Sequence, residues 1–324
     1  MRNITVLAVL VIILNSAYCQ DSKRNYGFSI GPQAGLVYGQ SLELVDSIPE
    51  DTKGELLSEL KWDLKPVYYI GIQIDIGRID ITSDPGFFTS LSFKAGYPAD
   101  SGIIENRDWM SVENNALTHF STHTNRTNSF FMADGAIGAT LPVNSYIYFK
   151  PYIGGSWMYI SFTGRGGQGT YAREKLLYSN TFHPIDDNPD LHSFEGEQVI
   201  HYQQNWILLY PGVSAGIKIS PFIFDFSFKL SLFTWCTALD QHIYKQNTKF
   251  LDQTRTGLFY EPSVNISFII KRLEISLGAS YRHIGRTRGI THIDRNNSGY
   301  DKAANRSGAG LSLLDTHFLV KVRI

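Results

Sequence analysis

Cysteine is nearly absent from this chain. It occurs twice, at Cys19 and Cys236, so a disulfide framework, a CxxC redox pair and a cysteine zinc cluster are all excluded. Long apolar runs are scarce too. The one near the start, Ile4 to Leu14 broken by Thr5, is too short to cross a bilayer as a helix, which takes about 20 apolar residues. No later stretch is long enough either, so a helical membrane protein is excluded. An excess of charge of one sign is also missing. The formal net charge is -1, which provides neither a nucleic-acid-binding surface nor a polybasic membrane anchor.

The short apolar run reads as an export signal. Arg2 supplies a positive start, and Asn15-Ser16-Ala17-Tyr18-Cys19 supplies small and polar residues for cleavage. Cleavage after Cys19 puts Ala17 and Cys19 at the two small-residue positions. The rival reading is a lipid-modified Cys19, but the bulky Tyr18 does not suit a lipobox. Residues 1–19 are thus expected to be a signal peptide and residues 20–324 a single exported domain. Cys236 is then the one cysteine left, and it reads as a small buried hydrophobe near a strand end.

What the chain has in quantity is aromatic residues and alternation. Tyr occurs 18 times and Phe 20 times, in keeping with the aromatic girdles of an outer-membrane barrel. From Phe222 onward, one parity reads Phe222, Phe224, Phe226, Phe228, Leu230 and Leu232, while the other carries Asp225, Ser227, Lys229 and Ser231. Successive strand side chains point to opposite faces. Six apolar positions in one row exceed the needs of most globular strands and suit a membrane strand of about 9–11 residues. Tyr68 to Ile76 and Leu273 to Tyr281 repeat the pattern. So does the C-terminal row Phe318, Val320, Val322 and Ile324, although outer-membrane barrels usually end on Phe.

The pattern predicts an all-β fold, a ten-stranded antiparallel transmembrane β-barrel with long extracellular loops. Strands are expected near 27–45, 56–79, 86–104, 127–142, 145–166, 197–220, 221–243, 252–271, 272–288 and 311–324. An even number suits a bacterial single-chain barrel. Short connections are expected near Lys65-Pro66 to Pro85-Gly86, Pro142-Val143-Asn144, Ser220-Pro221 and Lys271-Arg272. Long ones are expected near 46–55, 97–126, 167–196, 244–251 and 289–310. Short periplasmic turns and long outer loops give bacterial barrels this asymmetry, so a site is expected in the outer half.

Two polar clusters fall there. One is Glu105-Asn106-Arg107-Asp108-Trp109-Met110, followed by His119 and His123. The other is Asp240-Gln241-His242. Residues two apart on a strand share a face. Asp240 can therefore fix the tautomer of His242 and raise its basicity, which prepares a general base. Such pairs also occur by chance at solvated strand ends. A metal site on Asp108, His119 and His123 is not expected, because a spacing of four is helical and this segment reads as loop and strand. Arg165-Gly166-Gly167 is too short for a phosphate loop and opens no helix. No cofactor is expected.

At these residues the chain resembles the omptin family, outer-membrane endopeptidases of Gram-negative bacteria, over almost its whole mature length. The resemblance runs through Ser58-Glu59-Leu60-Lys61-Trp62, Arg107-Asp108-Trp109-Met110, Ser161-Phe162-Thr163-Gly164-Arg165-Gly166-Gly167, Asp240-Gln241-His242 and Ser307-Gly308-Ala309-Gly310. It implies a barrel rising above the outer membrane with a catalytic groove at its extracellular rim. There a water is held between an Asp–His pair and two aspartates one residue apart. Carried over, Asp240 and His242 match the first pair and Asp108 matches the second aspartate of the other. The first aspartate falls on Asn106, which keeps an acceptor oxygen but loses the charge and the exchangeable proton. Neighbouring Glu105 would face the opposite side of an extended segment.

The resemblance further implies that Glu43 binds a basic substrate side chain. Ala238 stands where a second acid of that pocket is expected, so selectivity for Arg or Lys is expected to weaken or the pocket to change. With a gap in the alignment, His123 matches a further histidine of the outer loop. Ser156-Trp157-Met158-Tyr159 departs from the family's lipopolysaccharide-binding pattern. Two functions therefore stand side by side: a surface endopeptidase with retained or reduced activity, and a catalytically degenerate barrel serving as a surface binding or structural protein. A solute channel ranks last, since a ten-strand lumen is little wider than the eight-strand one that side chains fill. The expected partners are peptide or protein substrates and outer-membrane lipids, with no nucleic acid, and the expected state is a monomer.

Overall fold

The apolar rows that alternate in the sequence turn outward in the structure, and the polar rows turn inward. The computed structural model describes residues 26–47, 56–78, 82, 84–111, 116–177, 179, 181–243, 248–295 and 298–324. The expected signal peptide lies outside them. The strands are β1 (Tyr26–Asp46), β2 (Leu56–Arg78), β3 (Gly86–Gly96), β4 (Ala99–Asp108), β5 (His119–Pro142), β6 (Ile147–Tyr171), β7 (Asp190–Ser193) and β8 (Gln198–Ile219). They continue with β9 (Phe222–Ser231), β10 (Phe233–His242), β11 (Thr248–Arg255), β12 (Phe259–Ile270), β13 (Leu273–Ile284), β14 (Arg288–Asp294) and β15 (Tyr300–Arg323).

All neighbours pair antiparallel, and the ring closes where β15 meets β1. Four long staves are each interrupted once. β3 and β4 both pair with β2 and β5. β9 and β10 both pair with β8. β12 and β11 continue those two in turn, and β13 and β14 both pair with β15. Counting each interrupted stave once gives ten walls, with β7 folded back onto the end of β6.

On β9 the outward residues Phe226 and Leu230 are 58% and 46% exposed. Rows of large apolar side chains this open to the surroundings suit lipid, not water. Tyr38, Tyr68, Trp157, Trp235 and Tyr281 also face out. Beyond them on the same staves come polar residues such as Gln40, Lys65 and Thr237, so the aromatics mark the upper edge of the membrane band.

Inside, charges cross the lumen. Lys229 on β9 lies 3.2 Å from Asp134 on β5 and 2.8 Å from Glu261 on β12. Arg282 on β13 pairs with the same two acids at 3.3 and 2.5 Å. Above this level Trp62 stacks against both Phe162 and Tyr202, with ring centres 5.4 and 5.0 Å away. Gln204 on β8 donates to the Leu42 carbonyl on β1 at 3.0 Å. The two strands lie on opposite sides of the ring, so the lumen is plugged beneath the outer rim.

Three expected boundaries are corrected. The loop expected at 97–126 contains β4 and the start of β5, and the one expected at 289–310 is mostly β14 and the start of β15. Beyond the bilayer both faces of a strand meet water or polar partners, so the apolar parity that betrays a strand is lost. Lys65-Pro66 is not a turn. It lies within β2, where the register with β1 shifts opposite Val37 and Gly39.

Candidate active site

β10 rises out of the membrane with Thr234, Cys236, Ala238, Asp240 and His242 on its inner face. Asp240 is 2% exposed. Its Oδ2 is 2.5 Å from Nε2 of His242, and the imidazole packs edge-on against Phe250 of β11 at 5.3 Å. The carboxylate therefore fixes both the ring's orientation and its tautomer. Nε2 carries the proton toward Asp240, which leaves Nδ1 as the free basic nitrogen.

β2 and β4 supply a second set of inward residues at the rim. Their register pairs Ser58 with Asp108 and Leu60 with Asn106. Alternation from the buried Ile104 turns Asn106 and Asp108 inward and Glu105 and Arg107 outward. Ser58 Oγ donates to Asp108 Oδ1 at 2.6 Å, and the Asn106 amide nitrogen is 3.4 Å from Asp108 Oδ2. Glu105 pairs with Arg107 on the outer face at 2.8 Å, and Arg107 also meets Glu59 at 3.5 Å. Glu105 is thus committed away from the groove.

Glu43 sits inward on β1, 3% exposed, with its carboxyl against that of Asp240. Burial, then the charges of Asp240, Asp252 and Asp108, hold Glu43 well above the ordinary carboxylate range. Asp252 faces inward on β11 and was not singled out from the sequence. Burial pushes it up to about 7; the Thr291 hydroxyl, donating at 2.7 Å, opposes this and the charge of Asp240 adds to it.

His123 is turned to a different task. Its Nδ1 meets the Gly166 carbonyl at 2.6 Å, its Nε2 meets Ser121 Oγ at 3.1 Å, and its ring lies edge-on to Phe194 at 5.0 Å. Both nitrogens are therefore engaged, and Nδ1 holds the bend at Gly166 and Gly167. Burial lowers its pKa, and the bond to the Gly166 carbonyl raises it in part. Gly167 has φ 96°, and a Cβ there would stand 1.9 Å from the Thr122 carbonyl oxygen, so the bend needs glycine. His119 lies in register with Asp108, with its Nδ1 2.8 Å from Thr118 Oγ1. Among the described residues, no three His, Cys, Asp or Glu side chains converge as metal ligands.

Sequence reasoning missed the roles of Ser58 and Asp252. Ser58 stands two before Leu60 and four before Trp62, both buried, so parity alone could have turned it inward. Its partner Asp108 is set by register, which parity does not reveal.

A sequence model of the Omptin family matches residues 24–322. The Plasminogen activator of Yersinia pestis is 22% identical over 325 residues, covering 96% of this chain and 96% of the relative. Protease 7 of Escherichia coli is 22% identical over 264 residues, covering 77% of this chain and 71% of the relative. The crystal structure of outer membrane protease OmpT from Escherichia coli superposes with a TM-score of 0.78 at 19% identity, covering 92% of this chain and 97% of that one. At that identity the likeness is one of fold.

Proposed function

Because the chain belongs to the omptin family and is similar to Protease 7 and to the fold of the outer membrane protease OmpT of Escherichia coli, we propose that it is a surface endopeptidase that cuts peptide bonds with a water activated by His242. The observation that carries this reading is the Asp240–His242 pair, bonded at 2.5 Å and turned inward at the rim where Asp108 also turns inward. Nδ1 of His242 takes a proton from the water as its oxygen bonds to the peptide carbonyl carbon. Asp240 stabilises the imidazolium that results. The C–N bond then breaks, and the same proton passes from His242 to the departing amine. Asp108, held by Ser58, orients the water on its other side.

Asn106 fits this scheme without a second acid. Two carboxylates in contact do not both ionise readily, so such a pair holds one proton and one charge. An amide N–H directed at Asp108 gives the same count: one donor and one charge. What Asn106 cannot do is release its proton. The substrates are peptides or proteins, the outward apolar band takes outer-membrane lipid, and a ring closed within one chain supports a monomer.

A second reading has its own support. Asn106 has no exchangeable acid proton and Glu105 is engaged outward with Arg107, which favours a degenerate barrel used for binding. Refolded native protein and its Asn106→Asp variant, assayed on peptides containing dibasic sites, separate the two. Cleavage by the native protein upholds the endopeptidase. Cleavage by Asn106→Asp alone favours the degenerate barrel, and cleavage by neither removes the site assignment.

A further inference from the structure

At the Asp240–His242 pair the inner wall carries three acids, Glu43, Asp240 and Asp252, that no described Lys or Arg faces. β10 and β11 are in register with Ala238 directly opposite Asp252. Both are buried, at 1% and 2% exposure. Directly opposed strand residues hold their Cβ atoms about 4.5–5.5 Å apart, so the Asp252 carboxylate borders the space left by the Ala238 methyl. Glu43 approaches from β1, where its register partner on β15 is another small residue, Ala309.

The polar atoms here are not satisfied internally. Glu43 Oε2, Asp240 Oδ1 and the Ser41 hydroxyl are buried without a hydrogen-bond partner. Among the described residues, no Lys or Arg pairs with Glu43, Asp240 or Asp252; Arg286, beside the neighbouring Gly308, is held by Asp46. Buried acceptors without donors are costly, and like charges in contact add to the cost. A guanidinium or ammonium group brings donors, no acceptor and the opposite charge, which is what this acidic cluster lacks.

We propose that Asp252 is a specificity-determining residue of the groove: from β11 it supplies the charge missing at Ala238 on β10, and with Glu43 it takes the positively charged side chain of a substrate residue next to the cut bond. The proposal rests on the endopeptidase reading above and reverses the expectation that Ala238 weakens selectivity for Arg or Lys.

The test compares two peptides that differ only in carrying arginine or its neutral isostere citrulline beside the cut bond. In Asp252→Ala, the kcat/KM ratio of the arginine peptide to the citrulline peptide falls ten-fold or more, chiefly through KM. Asp252→Glu retains part of the ratio, and the double variant Asp252→Ala with Ala238→Asp restores it. An unchanged ratio in Asp252→Ala, or an equal loss on both peptides, overturns the proposal. Should the native protein cleave neither peptide, the endopeptidase reading fails by itself. Calorimetry with benzamidine then decides for Asp252. Binding at least ten-fold weaker in Asp252→Asn than in the native protein upholds its role, and equal binding or none to either overturns it.

Discussion

Replacing Asn106 with Asp exchanges one amide group for one oxygen and puts a second carboxylate about where the amide nitrogen lies, 3.4 Å from Asp108 Oδ2. At that separation two full charges repel by about 5 kcal/mol at an effective dielectric constant of about 20, and by less where water reaches the rim. About 1.4 kcal/mol corresponds to one pH unit. The variant pair therefore keeps a shared proton roughly two to three pH units above the ordinary carboxylate range. Near pH 5 it then has the charge of the native Asn106–Asp108 pair; above about pH 8 it has one more. The assay is kcat/KM on an arginine peptide from pH 5 to pH 9 for both proteins. We expect rates within about three-fold at the acid end, with the variant falling about ten-fold more than the native protein toward the alkaline end. Superimposed profiles would refute the shared proton. A variant a hundred-fold faster at every pH would refute the claim that the amide stands in for a protonated acid.

Ser58→Ala removes the 2.6 Å donor to Asp108; hydrogen bonds to charged groups contribute about 1.5–3 kcal/mol, so steady-state kinetics should give a kcat about ten-fold lower or more. Glu105→Gln breaks only the outer-face ion pair with Arg107, which contributes little, so cleavage should stay within about two-fold; a larger loss in the same assay would mean that Glu105 turns inward. The pH dependence of KM has a definite sign. Asp252 is neutral below about 7 and charged above it, with Asp240 and Glu43 as the acids facing it. KM for an arginine peptide should therefore fall as pH rises through about 7, and Asp252→Asn should flatten that change.

The membrane part of the fold was legible because lipid imposes a simple rule on it. The Phe222 to Leu232 row alternates strictly, and every outward position had to be apolar. Above the bilayer that rule lapses, so β4, β14 and the first turns of β5 and β15 read as loop. Parity still served the site: it put Asp240 with His242 and turned Glu105 to the opposite face from its neighbour Asn106, whereas Asn106 was put with Asp108 by the resemblance to the omptin family. What parity could not reveal was which strands meet, and at what height. Ser58 opposite Asp108 and Asp252 opposite Ala238 are facts of register, fixed by hydrogen-bonding between segments distant in sequence. His123 shows the same limit. A histidine near the groove was visible, but its engagement with Gly166 follows from a glycine bend one strand away.

The central claim is that His242, oriented by Asp240, activates water for peptide cleavage. Initial rates of the refolded native protein and of His242→Ala on one arginine-containing peptide test it most directly. A positioned general base contributes about a hundred- to ten-thousand-fold. The native protein should cleave and His242→Ala should be at least about a hundred-fold slower; equal rates in the two proteins, or no cleavage by the native one, would contradict the account.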